Sequence, residues 1–110
     1  MENLDGVPTI SPMGTLRDVL EALSDPVRLE MVRRLASAGA PVACADLYDS
    51  VSKSTASHHF KVLREAGLTE RLNVGGQTHQ RLRLDDVEES YPGVVSSIVA
   101  ASREDAERVG

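Results

Sequence analysis

The chain has 110 residues, of which 3% are aromatic, and it carries a formal net charge of −5 and one cysteine. Its length predicts one domain, no apolar run approaches the ~18 residues of a membrane span, and its first residues lack the basic-then-apolar order of a secretory signal. One cysteine cannot form an internal disulfide, so these features together predict a cytoplasmic protein.

Residues 1–12 predict a flexible N-terminal arm, because they contain two prolines and a glycine and show no apolar period. A single domain is predicted over residues 13–108. Its first helix is expected over residues 13–23, since four side chains follow the i, i+3, i+4, i+7 spacing of one helix face. These side chains are Leu16, Val19, Leu20 and Leu23.

Two further helices are predicted before residue 50. Asp25 followed by Pro26 is typical of a helix start, because the aspartate accepts hydrogen bonds from free N–H groups and proline has no N–H that needs a partner. This second helix is expected to run to about Ser37. A short third helix is predicted over residues 42–48, with Ala45 and Leu47 facing inward.

Residues 52–67 predict a helix with two different sides. Ser52 can cap its first turn, and Gly67 can take the left-handed conformation that ends a helix. At about 100° per residue, one side carries Ala56, His59, Phe60, Leu63 and Ala66. The other side carries Lys53, Ser54, Ser57, Lys61 and Arg64. This cationic, hydroxyl-rich side indicates a phosphate-rich partner, and the short helix and turn before it predict a helix-turn-helix.

Charge is distributed unevenly along the chain. Residues 52–84 hold six basic and two acidic residues, a net charge of +4, whereas the remainder holds six basic and fifteen acidic residues, a net charge of −9. All three histidines also lie in the basic block. A basic face on an acidic body is typical of local DNA contact, and chance clustering of solvated charge is the alternative.

After Gly67 the apolar period shortens from about 3.6 to about 2, which predicts two strands. The Gly75-Gly76 pair between them is typical of a two-residue hairpin turn, because glycine permits the positive φ angles that such turns need. The hairpin tip is polar and is expected to project as a wing. The wing residues expected to reach a minor groove or its phosphates are Gln77, Thr78 and His79, with Arg71 and Arg81 in support.

The chain is expected to end with an acidic turn over residues 85–89, paired with Arg83, and a helix over residues 92–108. The apolar stripes of the first and last helices exceed what a small core can cover. They therefore predict a homodimer interface, with closure of the chain's own core as the alternative. The expected interface residues are Leu16, Val19, Leu20, Tyr91, Val94, Val95 and Ile98.

Three stretches of the chain resemble the ArsR/SmtB-type (arsenic-repressor) family of bacterial winged-helix regulators. ALSDPVRLEMVRRL (residues 22–35) is similar to the family's second helix and SKSTASHHFKVLREAGL (residues 52–68) to its recognition helix. The Gly75-Gly76 hairpin with the following RLRL is similar to its wing. The resemblance implies a mainly α fold with a β-hairpin wing, which dimerises through its first and last helices. It also implies a repressor that covers a double-stranded DNA operator and is released by an effector.

On this resemblance, the helix over residues 52–67 lies in a major groove of DNA. The candidates for base edges or adjacent phosphates are Lys53, Ser54, Ser57 and His58. Thr55 is expected either to donate to a phosphate or to cap the helix. Lys61 and Arg64 lie further along and are expected at phosphates, whereas His59 faces inward and is expected to pack.

Metal-sensing members of the family carry a Cys-x-Cys pair before the recognition helix, or His and carboxylate ligands on the last helix. Here Cys44 stands alone and no histidine follows His79, so we expect no family-standard metal site. Two sensor alternatives stay open. One is weak binding of nickel or zinc by Asp85, Asp86 and Glu88, and the other is a redox role for Cys44, although a lone cysteine is more commonly a small buried apolar residue.

Catalysis is not expected from this sequence. Ser57 and His58 are neighbours on one helix and therefore do not face each other. The sequence has neither a Gly-rich phosphate loop nor metalloprotease-type histidine spacing. The remaining alternative is a winged helix that acts only with a protein partner.

Overall fold

The computed structural model describes residues 11–109, so residues 1–10 of the predicted arm lie outside the described part. Its helices are α1 (Leu16–Leu23), α2 (Pro26–Ala38), α3 (Lys53–Glu65), α4 (Leu84–Ser90) and α5 (Val94–Val109). Its strands are β1 (Val42–Ala43), β2 (Thr69–Val74) and β3 (Gln77–Leu82), and a 3-10 turn (Cys44–Asp46) follows β1. None of the described helices is both long and apolar enough to cross a bilayer.

The predicted hairpin is confirmed. Strands β2 and β3 pair antiparallel from Thr69–Leu82 at the base to Val74–Gln77 at the tip. Gly75 and Gly76 form the turn with φ angles of 59° and 86°, as a two-residue turn with two left-handed positions requires. The side-chain oxygen of Asn73 accepts the Gly76 N–H at 3.0 Å, which adds a hydrogen bond to the turn.

The third helix predicted over residues 42–48 is wrong. Val42 and Ala43 instead form β1, which pairs with β3 and makes the sheet three-stranded in the order β1-β3-β2. The following 3-10 turn has no side-chain cap, and Ala45 is exposed whereas Leu47 is buried. A free sheet edge offers hydrogen-bonding partners to an extended segment, and Val42 and Ala43 pair with the edge of β3.

The first and last helices start later than predicted. Thr15 caps α1 in a capping box: its hydroxyl accepts the Asp18 N–H at 3.1 Å, and the Asp18 carboxylate accepts the Thr15 N–H at 2.9 Å. Helix α5 starts at Val94, because Gly93 has a φ of 81° and ends the preceding turn. The start and stop of α2 are confirmed within one residue.

Helix α2 lies at the centre of the fold, in contact with α1, α3, α5 and β3. Two of the residues predicted for a dimer interface, Val19 and Val95, have no exposed surface in the single chain. They belong to its own core, so their prediction as interface residues is wrong. Leu16 and Leu20 remain 43% and 45% exposed, and the others are half-buried: Tyr91, Val94 and Ile98.

Residues 11–14 cross the C-terminal end of α3, and we call this segment the strap. The Ser11 carbonyl accepts a hydrogen bond from Arg83 at 2.7 Å. The Gly14 N–H donates to the Ala66 carbonyl at 2.9 Å, and the Gly14 carbonyl accepts from the Tyr91 hydroxyl at 2.6 Å. The arm predicted to extend to Pro12 is therefore held against the domain from Ser11 onward.

We expect Gly67→Ala to destabilise the protein more than Gly39→Ala. Both glycines have positive φ, 88° and 62°, and each substitution should cost about 1–2 kcal/mol on that account. Only at Gly67 would the new Cβ also lie 2.8 Å from Met13 Cα, in the strap, whereas nothing lies within 4 Å at Gly39. The overlap should add about 1–3 kcal/mol. Urea unfolding of both variants measures the difference, and equal losses would show that the strap does not press on Gly67.

Candidate nucleic-acid interface

The two sides of α3 face as predicted, with the apolar side toward the core and the polar side toward solvent. Its apolar side and His59 are buried, with Arg64 half-buried. Its exposed side carries Lys53, Ser54, Thr55, Ser57, His58 and Lys61, and one carboxylate, Glu65, in its last turn. The buried side includes Phe60, which packs edge-to-face on Tyr48 with a centroid distance of 6.2 Å. From Lys53 to Lys61 the exposed side is therefore a strip of hydroxyls, imidazole and positive charge.

The start of α3 is built by hydroxyl groups. Ser52 is the N-cap, and its oxygen accepts the Thr55 N–H at 3.2 Å, as the sequence predicts. The same hydroxyl lies 3.0 Å from the Thr55 hydroxyl and 3.2 Å from that of Ser54. Thr55 is therefore capped by Ser52 and does not itself cap the helix, and its predicted contact with a phosphate stays a prediction. The free N–H groups at this end favour anions.

The rotation of α3 about its axis depends on one buried polar contact. His59 is 8% exposed, and its Nδ1 lies 3.0 Å from a terminal nitrogen of Arg28 on α2. Because guanidinium nitrogens only donate, Nδ1 accepts, and the ring proton resides on Nε2, which is 4.0 Å from the Asp25 carboxylate. Arg28 also donates to the Ala22 carbonyl at 2.7 Å. His59 therefore packs inward, as predicted, and ties α3 to the corner between α1 and α2.

Asp25 is the N-cap of α2 at the corner between α1 and α2. Burial raises the pKa of its carboxyl, but hydrogen bonds from the N–H groups of Arg28 and Val27 outweigh burial, and the net pKa is lowered. A lowered carboxyl pKa in the folded state stabilises the protein above the unfolded-state pKa. That stabilisation is lost as the pH falls through the folded-state value.

Arg34 positions the turn that leads into α3. Its guanidinium donates to the Asp46 carbonyl and to the Asp49 carboxylate, each at 3.1 Å. Glu30, one helical turn earlier, accepts from the Arg34 Nε at 2.7 Å and holds the side chain in place. Helix α2 thus fixes α3 at two points, through Arg34 before its start and through Arg28 at its middle.

The predicted wing residues divide between the two faces of the sheet. Arg71 and Thr78 lie on the face toward α3, where they line a groove with Lys53. Arg81 lies on the opposite face and forms an ion pair with Glu70, its cross-strand partner. His79 lies two residues before Arg81 on β3, so its side chain is on the same face. Its Nδ1 is 3.2 Å from the Gln77 carbonyl.

The cations near α3 are free of strong internal pairing. Lys61 approaches Glu65 at 4.0 Å, with both side chains more than 60% exposed, so this pair contributes little. Within residues 11–109, Lys53, Arg64 and Arg71 are in no ion pair with a carboxylate. Their charges are therefore available to an external anion.

The acidic turn has internal partners. Asp86 accepts from Arg83 at 3.1 Å, which confirms the predicted pairing of Arg83. Glu88 accepts the Gly93 N–H at 2.8 Å, and this hydrogen bond lowers the pKa of its carboxyl against the opposing effect of burial. Among residues 11–109, no three His, Cys, Asp or Glu side chains meet in a way that could hold a metal ion, and the predicted weak metal binding by Asp85, Asp86 and Glu88 stays a prediction.

Comparison with known proteins agrees with this arrangement. A family model described as a helix-turn-helix domain matches residues 23–71, from the end of α1 into β2. The chain is 35% identical over 82 residues to the uncharacterized HTH-type transcriptional regulator YceK of Bacillus subtilis (strain 168). The matched region is 73% of this chain and 82% of that protein.

Two solved structures extend the comparison to the whole fold. The transcriptional repressor BigR from Xylella fastidiosa is 26% identical, with a TM-score of 0.61 over 78% of this chain and 84% of that one. The homodimeric winged helix-turn-helix domain of Mb0332 from Mycobacterium bovis, a possible ArsR-family regulator, is 22% identical. Its TM-score is 0.64 over 84% of this chain and 82% of that one. This chain belongs to the ArsR/SmtB-type family of winged helix-turn-helix transcriptional regulators.

Two residues of this ArsR-type regulator were missed by the sequence analysis. Arg28 reads as one of several arginines on a surface helix, and no periodicity predicts that it reaches His59, thirty-one residues away. Gln80 is 1% exposed at the centre of the sheet. Its place in the alternation with Leu82 marks it as inward-facing, and that signal is enough to single it out as a buried polar side chain.

Replacing Arg28 with Met should lower the free energy of unfolding by about 1–3 kcal/mol, because the Ala22 carbonyl and His59 would lose a buried donor. Arg17→Met is the matched control. Its guanidinium is exposed and pairs with Glu21, so the loss should stay below about 1 kcal/mol. Chemical unfolding measures both free energies of unfolding. Equal decreases in the two variants would show that Arg28 does not stabilise the contact between α2 and α3.

Proposed function

We propose that this regulator is a homodimeric repressor that binds a pseudo-palindromic operator and leaves it when an effector binds. The observation that carries the proposal is the exposed strip on α3, held outward by Arg28 and Arg34 and bordered by the wing. Among the described residues, Lys53, Arg64 and Arg71 are in no ion pair with a carboxylate, and Lys61 has only its exposed contact with Glu65 at 4.0 Å. The names of two similar proteins give support, since BigR is called a repressor and Mb0332 homodimeric.

On the proposal, the strip enters a major groove with its N-terminal end first. Lys53, Ser54, Ser57 and His58 then lie nearest to base edges, where lysine donates to guanine acceptors and serine bonds several bases. Lys61 and Arg64 lie further from this end and meet phosphates. Arg71 and Thr78 extend the contact along the face of the wing toward α3, and Gln77, beside the hairpin turn, extends it from the tip. Arg81 takes no direct part, since it faces away and is paired with Glu70.

The proposed dimer uses surfaces that the single chain leaves open. Leu16 and Leu20 lie one turn apart on α1 and are exposed. The half-buried residues Tyr91, Val94 and Ile98 line the start of the last helix. The Tyr91 hydroxyl bonds the Gly14 carbonyl just before α1, so the two surfaces are adjacent. Pairing two copies through them would place two α3 helices in successive major grooves, about 34 Å apart.

The acidic remainder of the chain fits the same proposal. It repels DNA wherever α3 and the wing do not touch it, which limits non-specific binding. We place the protein in the cytoplasm, where a bacterial repressor meets its operator.

Gel shift and footprinting on the DNA upstream of the chain's own gene test the proposal. We expect protection of two half-sites centred about one helical turn apart, and much weaker binding to random DNA. Equal binding to random DNA, or none, would favour a winged helix that works only with a protein partner.

Lys61→Ala should weaken binding to operator and random DNA alike and reduce the slope of log K against log salt by about 1, because one phosphate contact is lost. Ser57→Ala should instead reduce the preference for operator over random DNA and leave the slope unchanged. Arg108→Ala removes the same charge from the far end of α5, where Arg108 pairs with Asp105, and serves as the control. Fluorescence anisotropy across a salt series gives all three results. An unchanged slope for Lys61→Ala would show that the wrong face of α3 was assigned.

Leu20→Glu should weaken the dimer at least about tenfold, since an exposed leucine that becomes buried on association contributes about 1.5–3 kcal/mol. Leu84→Glu changes another exposed leucine, on α4, and should leave the dimer intact. Sedimentation velocity over a range of concentrations compares them. A dimer that survives Leu20→Glu, or that is lost with Leu84→Glu, would contradict the assigned interface.

A further inference from the structure

A groove of about 250 Å³ lies between α3 and the sheet, and we call it the α3–wing groove. Its rim carries Lys53, Arg64 and Arg71, and its floor is formed by Tyr48, Phe60 and Gln80. Sites for drug-sized ligands usually measure about 300–1,000 Å³, so this groove suits a smaller molecule. Its rim belongs to the proposed DNA face, whereas its floor has no role in DNA binding.

The rim attracts anions. It contributes three cations from two elements, α3 and β2, and no carboxylate lines the groove. None of the three cations is in an ion pair with a carboxylate of residues 11–109. Arginine side chains bind carboxylate and phosphate groups with two parallel hydrogen bonds. A planar or tetrahedral anionic group bound in the groove would therefore lie beside Arg64 and Arg71, which both line it.

The floor is apolar except for one unsatisfied amide. Phe60 is buried and packs on Tyr48, which gives the groove an aromatic wall. Gln80 is 1% exposed, and its side-chain oxygen has no hydrogen-bond donor within the described residues. Its nitrogen faces the Cys44 sulfur at 3.6 Å, a weak acceptor. Rotating the amide by 180° would only exchange the unpaired oxygen for an unpaired nitrogen, so one end of a buried amide always lacks a strong partner.

These features together point to a small ligand. Phosphates of duplex DNA reach the exposed rim, but the duplex is too broad to reach buried Phe60 and Gln80. We propose that the α3–wing groove binds a small organic anion: a carboxylate on a ring-sized apolar body that carries a hydroxyl group. The carboxylate meets Arg64, Arg71 and Lys53, the ring packs on the aromatic floor, and the hydroxyl donates to Gln80.

Such a ligand would also regulate DNA binding. It engages cations that the operator phosphates need, so ligand and operator compete for one surface. This effector role rests on the proposed function, whereas ligand binding itself does not depend on it. The ligand class differs from the metal ions of the family resemblance, and it requires no thiolate or imidazole ligand.

Calorimetric titration of the full chain with three probes tests the proposal. 4-Hydroxybenzoate carries all three features, benzoate lacks the hydroxyl, and inorganic phosphate lacks the ring. We expect one 4-hydroxybenzoate per chain with a Kd below about 1 mM, at least about tenfold tighter than benzoate. Phosphate should bind more weakly still. No saturable binding of 4-hydroxybenzoate up to about 10 mM, or equal binding of the two ring probes, would overturn the proposal.

Gln80→Leu should bring the two ring probes within about twofold of each other, because only the hydroxyl contact is lost. Circular dichroism and thermal unfolding check that this variant folds. In the wild-type chain, the side-chain amide resonances of Gln80 provide a readout that needs no variant. They should shift with 4-hydroxybenzoate and stay in place with benzoate, and a missing shift would count against the Gln80 contact.

Competition with DNA separates the two proposals. 4-Hydroxybenzoate at saturation should weaken operator binding at least about tenfold in the wild-type chain. Lys61→Ala lies outside the groove and should bind 4-hydroxybenzoate as the wild type does while binding DNA less well. If 4-hydroxybenzoate binds but leaves the affinity for operator DNA unchanged, the effector role is overturned. Normal DNA affinity in Lys61→Ala would instead count against the assigned DNA face and leave the ligand site standing.

Discussion

The orientation of α3 depends on the hydrogen bond between Arg28 and His59. Apolar packing alone fixes the rotation of a helix less sharply than a polar contact does, because apolar side chains of similar volume can replace one another. A buried polar contact admits one partner at one angle, since a misplaced donor or acceptor would be left unpaired. His59 therefore fixes which residues of α3 face outward, and with them the strip of hydroxyl and charged groups on which the proposed DNA recognition rests.

The sequence was most informative where local chemistry determines structure. Ser52, Gly67 and the Gly75-Gly76 pair each act on their own backbone, so the ends of α3 and the turn of the wing are confirmed. It failed over residues 42–48, where a partner distant in sequence decides the outcome. The sequence of this short segment does not show that the edge of β3 is open for pairing. In the folded chain, Val42 and Ala43 pair with that edge and form a strand instead of helix.

The candidate site shows the same division. The exposed side of α3 follows from spacing alone, but the pairing of Arg81 with Glu70 depends on the register between β2 and β3, which spacing does not give. On α1, one apolar stripe holds both a residue of the core, Val19, and exposed leucines beside it. Periodicity identifies such a stripe as apolar but does not show which of its residues are buried in the core of the single chain. The network around Arg28 and the floor of the α3–wing groove join residues far apart in sequence, and only the folded chain brings them together.

The strap has a mechanical consequence for how the two ends of α3 move. Its hydrogen bonds to Ala66 and Tyr91 join the far end of α3 to the start of α1 and the entry of α5. The near end is held from a different side, by Arg34 and the turn before Ser52. In the proposed dimer, a change in how the two copies meet would therefore act first on the far end of α3. The near end and the middle stay tied to α2 through Arg34 and Arg28.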